Sequence, residues 1–476
     1  MLVVNNMKNI KFGTGGFRGI ISDDFTKENV EKICLSIVNI INKEKLKKEI
    51  CIGYDNRFLS ENFAYWCASV FADNDFKVNL MQNATSTPVV MYKTMQNKLD
   101  YGVMITASHN PYIYNGIKIF TQLGKDASLE VTKQIEEEFS KISEIKFKKS
   151  EKERNNNIKY INVVEEFVDY IIKNQNINDC SNLKVVFDTK FGSTKEEIEL
   201  FCKKINLKNY SIINANRDAF FNFVTPAPSE DNIEQLKLNV LSSNADIGFS
   251  LDADGDRLAV VDSFGNYLDN NIILSLIYYY LVKYENLKGD LVKNVCTTSL
   301  VNILAKKFGY NTHEVPVGFK YISSKVIETN AIIGGESSGG LMVKNHIYGK
   351  DSLLSIALIL KILSSLNKPF NKIIEELLAF ANNFNKKVCD KQYSYNLEKE
   401  KEIKEKLFIK KILPKFNYKP IKIEYKDYLK IFYENNNWTV VRFSGTEPLI
   451  RIFCEFENIE LCNKEIKLWE DFLNLK

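Results

Sequence analysis

The sequence has 476 residues, of which 45% are apolar, and this length allows about three or four domains with separate cores. With 64 Lys and Arg against 60 Asp and Glu residues, the net charge of +4 gives no overall field for nucleic acid or an anionic membrane, and we expect neither as a partner. Nine scattered cysteines without a Cys-x-x-Cys pair, and only three histidines, disfavour a disulfide framework and a zinc site. Neither a signal-peptide pattern nor a run of about 18 apolar residues is found, so a cytoplasmic protein is predicted.

The first 140 residues alternate short β-rich runs with amphipathic stretches. This alternation predicts an α/β layer fold with a largely parallel sheet. The lysine-rich and then asparagine-rich stretch at 146–157 has no apolar periodicity and predicts a solvated linker. Strands are predicted at 51–55, 76–80 and 102–106, and helices at 27–42, 60–72 and 89–97.

Two further βα series follow, and each is about as long as the first. The second begins near Ile161 with a helical pattern, and the third runs from about Asn271 to Leu366 with a buried helix at 272–282. Three similar α/β units are therefore predicted, followed by a last segment that ends in a helix at 459–473. The later strands are predicted at 183–188, 245–250, 291–295, 331–333 and 438–443.

A serine ends one of the apolar runs. Ser108 follows residues 103–106, so a predicted strand delivers its hydroxyl to the carboxyl edge of a sheet, where open α/β folds bind ligands. Pro111 prevents regular structure just beyond it. A hydrolase triad is disfavoured, because the Gly-x-Ser-x-Gly pattern is missing and the nearby imidazole, His109, is the next residue in the chain. A serine that carries a phosphoryl group fits better, with an ordinary strand-end turn as the alternative.

Three aspartates recur at a spacing of two, which turns their carboxylates toward one point in a tightly wound loop. Oxygen ligands without Cys or His select Mg²⁺ over zinc, and Mg²⁺ commonly keeps a phosphate oxygen in its shell, so the missing ligand is a phosphoserine at position 108. A calcium EF-hand is disfavoured because Arg257 and Ser263 replace its glycine and glutamate, and a plain acidic turn is the remaining alternative. The metal candidates are Ser108, Asp252, Asp254 and Asp256.

Two other loops carry groups that suit a sugar phosphate. One combines an arginine, two hydroxyls and a glycine that exposes backbone N–H groups, and a second arginine follows the next apolar run; this set can hold a phosphate without reacting with it. The other places a carboxylate and two hydroxyls among glycines, which suits neighbouring sugar hydroxyls. A surface turn is the alternative for each loop. The first set is Arg442, Ser444, Gly445, Thr446 and, after the next apolar run, Arg451, and the second set is Glu336, Ser337 and Ser338.

Two cationic residues lie in weaker contexts. Arg18 belongs to a glycine-rich stretch that lets the backbone approach a ligand, but this stretch lacks the Gly-x-Gly-x-x-Gly context of a dinucleotide fold. Lys118 comes ten residues after Ser108 and is a candidate for proton transfer or charge balance, with a solvated strand lysine as the alternative.

Taken in this order, the serine, aspartate, Glu-x-Ser-Gly and Arg-x-Ser-Gly-Thr-Glu-Pro loops resemble the α-D-phosphohexomutases, the phosphoglucomutase and phosphomannomutase superfamily. The shorter stretches 53–57, 85–88 and 317–320 agree as well. The resemblance implies four domains around a central cleft, three similar mixed-sheet α/β units and a smaller α+β C-terminal domain. The expected domains are 1–150 with the phosphoserine loop, 158–265 with the metal loop, 266–375 with the sugar-binding loop and 385–476 with the phosphate-binding loop.

The resemblance also implies roles for the residues. It makes Ser108 the phosphorylated serine, and its activator and intermediate would be glucose 1,6-bisphosphate, with a hexose phosphate as substrate and Mg²⁺ as cofactor. A monomer or a homodimer is expected. The implied catalytic residues are Ser108, His109 and Lys118, and the implied substrate-binding residues are Arg18, Arg257, Lys320, Glu336, Ser338, Arg442, Ser444, Gly445, Thr446 and Arg451.

Substrate choice depends on one departure from the family pattern. Members that act on mannose or glucosamine phosphates usually place His after Glu-x-Ser-Gly, whereas this chain has Gly340. The departure favours interconversion of glucose 1-phosphate and glucose 6-phosphate, with mannose phosphates as further substrates. A phosphomannomutase or phosphoglucosamine mutase, a phosphatase, and a catalytically silent sugar-phosphate binding protein are the alternatives.

Overall fold

The structure is a computed structural model that describes residues 10–13, 15–143, 155–177, 179–444 and 448–475. The chain forms two compact units. The first contains Met1–Asn270 and Ser338–Asn371, and the second contains Asn271–Ser337 and Lys372–Lys476. The predicted linker at 146–157 lies outside the described residues as far as residue 154.

The first sheet has its central strands in parallel and an antiparallel edge. Its order is β1-β5-β4-β2-β3-β7, with β6 paired to β5; strands β4, β2, β3 and β7 are parallel, and β5 runs against its neighbours. Strands β2 and β4 are buried along their whole length, as expected for strands covered by helices on both faces. The strands are β1 (Phe17–Ile20), β2 (Glu49–Tyr54), β3 (Lys77–Met81), β4 (Tyr101–Ile105), β5 (Tyr114–Thr121), β6 (Lys125–Asp126) and β7 (Ile158–Ile161).

The first three helices of this region lie close to their predicted positions, whereas the fourth was not predicted. They are α1 (Lys27–Glu44), α2 (Ser60–Ala72), α3 (Thr87–Gln96) and α4 (Leu129–Ser140). Helix α1 begins where the Thr26 hydroxyl accepts a hydrogen bond from Asn29 N at 3.2 Å, which satisfies one of the free N–H groups of its first turn. Its apolar residues recur every three or four positions and are buried, among them Val30, Ile33 and Ile37.

The second sheet carries the aspartate loop. Its order is β12-β11-β10-β8-β9, in which β9, β8 and β10 are parallel and β10 turns back into the antiparallel β11. The loop 252–257 connects β10 to β11 at the carboxyl end of β10. The strands are β8 (Lys184–Asp188), β9 (Asn209–Ile213), β10 (Ile247–Leu251), β11 (Leu258–Asp262) and β12 (Tyr267–Leu268), with helices α5 (Val164–Gln175), α6 (Lys195–Lys204) and α7 (Glu234–Ser243).

The third α/β region contains three parallel strands in the second unit, with β13 between β14 and β15. The predicted strand at 331–333 is shifted toward residue 335, while the predicted buried helix is present. These strands are β13 (Leu291–Asn294), β14 (Thr312–Val315) and β15 (Ile333–Gly335), and the helices are α8 (Asn270–Lys283), α9 (Leu300–Phe308) and α10 (Phe319–Thr329). Residues that follow in the chain form β16 (Leu341–Val343) and α11 (Ser352–Leu366) in the first unit.

The C-terminal part is built differently, because its five-stranded sheet is antiparallel throughout, in the order β17-β21-β20-β19-β18. The last helix packs on this sheet through the fully buried Trp469. The strands are β17 (Lys387–Ser394), β18 (Pro420–Tyr425), β19 (Tyr428–Tyr433), β20 (Trp438–Phe443) and β21 (Leu449–Phe456), with helices α12 (Phe370–Phe380), α13 (Leu397–Lys404) and α14 (Ile459–Leu473).

The cysteines and the longest apolar helices were both subjects of a prediction. All nine cysteines are free thiols, and eight are buried, with Cys389 half-buried. In the described part of the chain no single helix is long and apolar enough to cross a bilayer, and α11 with α12 meets the length and composition test only as a bent pair.

Candidate active site

Ser108 lies in the turn that follows β4, as its sequence position predicts. Its side chain is fully buried, and its φ of +53° places a residue other than glycine in the left-handed region. A conformation of this kind costs on the order of 1–3 kcal/mol and persists only where the surroundings impose it. One local contact is the hydrogen bond that Ser108 N donates to Thr106 Oγ1 at 2.8 Å.

The aspartate loop brings its three carboxylates together. One oxygen atom from each carboxylate lies within 4.8 Å of the other two, and all three side chains are buried. Asp252 Oδ1 accepts hydrogen bonds from the backbone N–H groups of Asp256 at 2.9 Å and Arg257 at 3.0 Å, which fixes the loop. Gly255 adopts a φ of +67°, and a Cβ there would lie 2.5 Å from Thr194 Cγ2.

The serine and the aspartates meet directly. Ser108 Oγ donates a hydrogen bond to Asp252 Oδ2 at 2.8 Å, although the two residues follow strands of different sheets. A phosphate on Ser108 Oγ would therefore lie beside the three carboxylates. This is the geometry that the hypothesis of a phosphoserine and a magnesium site requires.

Lys118 supplies the charge that faces the aspartates. It lies on β5, and its Nζ is 2.6 Å from Asp254 Oδ2 and 2.6 Å from Asp256 Oδ2. Burial by itself would lower the pKa of Lys118, but the two carboxylates raise it above its ordinary value, so the side chain is a permanent cation. Of the two predicted roles for Lys118, these contacts favour charge balance over proton transfer.

The donor set fits a hard divalent cation. Asp254 Oδ1 and Asp256 Oδ1 are buried and have no hydrogen-bond partner among the described residues, so each leaves a carboxylate oxygen available for a metal. Burial and then the neighbouring aspartates raise the pKa of Asp252. Burial also acts to raise the pKa values of Asp254 and Asp256, but Lys118 and the hydrogen bond from Thr87 lower the first, and Lys118, Lys350 and Arg257 lower the second. Oxygen ligands of this kind are preferred by Mg²⁺.

Three further predicted residues surround the serine loop. Arg18 donates a hydrogen bond from Nη1 to Asn110 Oδ1 at 2.5 Å. The His109 ring lies between two predicted residues, because its Nδ1 is 3.4 Å from Ser108 Oγ and its Nε2 is 3.3 Å from Arg257 Nη1. Burial, and then the nearby arginines, hold the pKa of His109 well below its usual range, so the ring is neutral at pH 7.

The other predicted residues are distributed between the units. Ser338 belongs to the first unit, and Lys320, Glu336, Arg442, Ser444 and Arg451 belong to the second. Gly445 and Thr446 lie outside the described residues. Glu336 accepts a hydrogen bond from Asn294 Nδ2 at 3.2 Å, and Lys320 is buried in the first turn of α10.

Two arginines mark the predicted phosphate-binding region of the second unit. Arg442 on β20 and Arg451 on β21 are direct cross-strand neighbours, beside the loop that connects the two strands. Arg451 Nε is buried and has no hydrogen-bond partner among the described residues. Burial, and then Arg451, lower the pKa of Arg442. Like charges at such a pair of positions are destabilising unless an anion lies between them.

Comparison with known proteins identifies the family. Models described as phosphoglucomutase/phosphomannomutase, alpha/beta/alpha domains I, II and III, match residues 9–146, 159–265 and 269–380. The chain belongs to the α-D-phosphohexomutase superfamily. The resemblance drawn from the sequence is confirmed.

Relatives and solved structures match this chain over nearly its whole length. A phosphoglucomutase/phosphomannomutase of Thermococcus kodakarensis is 27% identical and covers 96% of this chain and 97% of its own. A phosphoglucosamine/phosphogalactosamine mutase of Sulfurisphaera tokodaii is 29% identical, with 95% and 96% covered. The crystal structure of a putative phosphomannomutase from Thermus thermophilus is 23% identical and superimposes with a TM-score of 0.83 over 98% of this chain and 99% of that one. The predicted fold class, three α/β units and a C-terminal domain, is confirmed.

Two polar contacts of the candidate site were not predicted from the sequence. Lys350 Nζ lies 3.0 Å from Asp256 Oδ2, which also contacts Lys118. Thr87 Oγ1 donates a hydrogen bond to Asp254 Oδ2 at 2.5 Å. Lys350 precedes the N-cap of α11, Asp351, and that position gives no sequence signal for a site residue.

Proposed function

We propose that this phosphohexomutase interconverts glucose 1-phosphate and glucose 6-phosphate through a phosphorylated Ser108 and glucose 1,6-bisphosphate. The observation that carries the proposal is the 2.8 Å contact between Ser108 Oγ and Asp252 Oδ2, beside two carboxylate oxygens that have no hydrogen-bond partner among the described residues. A nucleophilic hydroxyl next to a cage for Mg²⁺ suits phosphoryl transfer.

The transfer step can be written for this chain's residues. The P–O bond to Ser108 Oγ breaks while a P–O bond forms to the free hydroxyl of the hexose 1-phosphate. The hydroxyl proton passes to Ser108 Oγ, and neutral His109 is our candidate for carrying it, since its Nδ1 is 3.4 Å from Oγ. The bisphosphate then turns around and returns its other phosphoryl group to Ser108, which leaves hexose 6-phosphate.

The three aspartates would hold Mg²⁺ together with the phosphate on Ser108. When bound, Mg²⁺ would offset negative charge on the phosphoryl group during transfer. Arg257 and Arg18 are proposed to bind the reacting end of the substrate, because both lie beside the serine loop. Lys118 would offset part of the negative charge of Asp254 and Asp256 during the reaction.

The second unit is proposed to bind the parts of the substrate that do not react. Arg442, Ser444, Gly445, Thr446 and Arg451 would hold the distal phosphate, and Lys320, Glu336 and, from the first unit, Ser338 would contact the sugar. Support comes from Arg451 Nε, which has no partner among the described residues and lies beside the cationic Arg442. Arginine is suited to this task because its planar fork binds phosphate through two hydrogen bonds.

The identity of the sugar is the finer part of the proposal. Gly340 in place of histidine supports glucose phosphates. A second candidate is a phosphoglucosamine mutase, since relatives with that name match most of the chain. Both candidates would use the same serine and metal loop, so they differ only in the residues that recognise the sugar.

A substrate panel tests the proposal. The purified protein is incubated with Mg²⁺, a trace of the matching 1,6-bisphosphate, and the 1-phosphate of glucose, mannose or glucosamine in turn. We expect 6-phosphate from glucose 1-phosphate at the highest kcat/KM. Preferential turnover of glucosamine 1-phosphate would favour the second candidate, release of inorganic phosphate would indicate a phosphatase, and no product from any sugar would contradict mutase activity.

A further inference from the structure

The stretch Gly53–Arg57 belongs to the sequence resemblance, but the proposed mechanism gives it no role. Its last residue, Arg57, is fully buried and follows β2, which lies beside β4 in the sheet. We propose that Arg57 is a positioning residue that holds the loop 108–114 in the shape that aims Ser108 Oγ at the aspartates. This inference rests on the proposed role of Ser108 as the phosphoryl carrier.

The guanidinium group of Arg57 binds the backbone of this loop at four points. Nη2 donates to Ser108 O at 2.5 Å and Asn110 O at 2.6 Å. Nη1 donates to Pro111 O at 2.9 Å and Tyr114 O at 3.1 Å. Four carbonyl oxygens therefore converge on one side chain, and one of them belongs to the nucleophile itself.

Arg57 is itself fixed from two sides. Asp55 Oδ2 lies 3.3 Å from Arg57 Nε, and Asp55 Oδ1 accepts a hydrogen bond from Arg57 N at 3.0 Å. Asp55 also accepts hydrogen bonds from Thr106 Oγ1 at 2.6 Å and Ser60 Oγ at 2.8 Å. On the other side the guanidinium group lies over the ring of Phe221, with 4.9 Å to its centre. Asp55 therefore links Arg57 to Thr106, two residues before Ser108, and to Ser60 at the start of α2.

The loop 108–114 needs these hydrogen bonds from Arg57 because the backbone conformation of Ser108 is unfavourable by itself. Ser108 has a φ of +53°, and the surroundings must outweigh the cost of about 1–3 kcal/mol that such a conformation carries. Rotation of Ser108 to a negative φ would move its Oγ away from Asp252. Hydrogen bonds from a charged, planar group to several carbonyls supply both the energy and the direction that oppose this rotation.

A positioning role predicts a particular kinetic result. Arg57 is fully buried and its guanidinium group contacts the protein backbone, Asp55 and Phe221, so it is not proposed to touch the substrate. Its loss should slow phosphoryl transfer, since a displacement of the nucleophile by about 1 Å costs on the order of 10²-fold in rate. Binding of the sugar phosphate and of Mg²⁺ to the protein without a phosphate on Ser108 should change little, because Arg57 is not among the residues proposed to hold either ligand.

The test compares Arg57→Gln, Arg57→Lys and the wild-type enzyme, with Arg217→Gln as the matched control. Arg217 is an arginine of the same unit whose side chain is 59% exposed. For each protein, intact mass spectrometry follows phosphorylation of Ser108 by glucose 1,6-bisphosphate in a single turnover. Calorimetry gives the Kd values for glucose 6-phosphate and Mg²⁺, circular dichroism reports folding and thermal stability, and steady-state kinetics separate kcat from KM.

We expect phosphorylation to slow by about 100-fold in Arg57→Gln and about 10-fold in Arg57→Lys, with both Kd values within about threefold of wild type. Arg217→Gln should match the wild type. A folded Arg57→Gln variant with a wild-type transfer rate would overturn the inference, and so would losses of Mg²⁺ and sugar-phosphate binding as large as the loss of rate. If neither Arg57 variant folds, Arg57 is a folding determinant and the positioning role is wrong. If wild-type Ser108 takes up no phosphoryl group, the proposed function fails first, which is a distinguishable result.

Discussion

Two regions of the molecule handle charge in opposite ways. The carboxylate region, Ser108 with Asp252, Asp254, Asp256 and Lys118, places opposite charges in contact and is fully buried. The arginine region, Arg442 with Arg451, places like charges on neighbouring strands and leaves a buried N–H group without a partner among the described residues. Lys118 and Lys350 already contact the carboxylates, whereas an anion bound between the two arginines would offset their repulsion. We infer that the reacting centre is preorganised and that the arginine region is completed by the ligand.

The largest effect is expected at Ser108. Ser108→Ala removes the oxygen that carries the phosphoryl group, so turnover should fall on the order of 10⁴-fold or more with little change in sugar-phosphate affinity. Coupled assays of 6-phosphate formation would measure the loss. The exposed Ser242 of the same unit provides a Ser→Ala control that should behave as wild type. Near-normal turnover in the Ser108 variant would exclude the proposed phosphoryl carrier.

A smaller effect is expected from the metal ligands. Asp254→Asn removes one negative charge and one anionic oxygen from the cage, and we expect Mg²⁺ affinity to fall by about 10- to 100-fold. Titration calorimetry with MgCl₂ measures the affinity without relying on turnover. Asp169→Asn is the control, because that side chain is 59% exposed in the same unit. Equal affinities in the two variants would count against a metal role for the aspartate loop.

The arginine region should show the opposite kinetic pattern. Hydrogen bonds to charged groups contribute about 1.5–3 kcal/mol, so Arg451→Gln should raise KM by about 10- to 100-fold while kcat changes much less. Steady-state assays with increasing sugar phosphate would show this difference. The exposed Lys464 on α14 serves as a Lys→Gln control for the lost charge. A loss confined to kcat would mean that Arg451 acts on the reaction itself and does not bind the distal phosphate.

The smallest effects are expected on the free energy of unfolding. Alanine substitutions at two glycines with similar φ values distinguish the cost of a steric clash from the cost of backbone strain. Gly255 has a φ of +67°, and a Cβ there would lie 2.5 Å from Thr194 Cγ2, whereas Gly309 in the second unit has a φ of +81° and no described atom within 4 Å of that position. Gly309→Ala should cost about 1 kcal/mol, and Gly255→Ala should cost about 1–3 kcal/mol more. Denaturant unfolding measures both. Equal losses would show that the aspartate loop is not tightly packed.

The sequence predicted those parts of the site that depend on local order. Ser108 and the three aspartates follow apolar strands directly, and the chemistry of each group is visible in its own segment. Lys350 and Thr87 were missed as site residues because they reach the aspartates only through the packing of distant segments. The left-handed conformation of Ser108 was also missed, since serine has no local preference for it and four hydrogen bonds from Arg57 impose it.

The helices and strands were also predicted well where local sequence determines them and poorly where pairing with distant strands does. Helix α2 begins and ends where predicted, whereas α3 starts at Thr87, two residues before the prediction, because Pro88 belongs to its first turn rather than to the preceding loop. In the C-terminal part only β20 was predicted among the five strands. Its neighbours carry alternating charges and aromatic residues, and they become strands through antiparallel pairing along the sheet.

The buried thiols give the chain a built-in reporter of local opening. Cys34, Cys51, Cys67, Cys180 and Cys202 lie in the first unit, and Cys296, Cys454 and Cys462 lie buried in the second. A thiol reagent added to the folded protein should therefore label Cys389 first, and each later label would identify the unit that has transiently exposed its interior. The order in which the cysteines are alkylated would show which of the two units exposes its interior more readily.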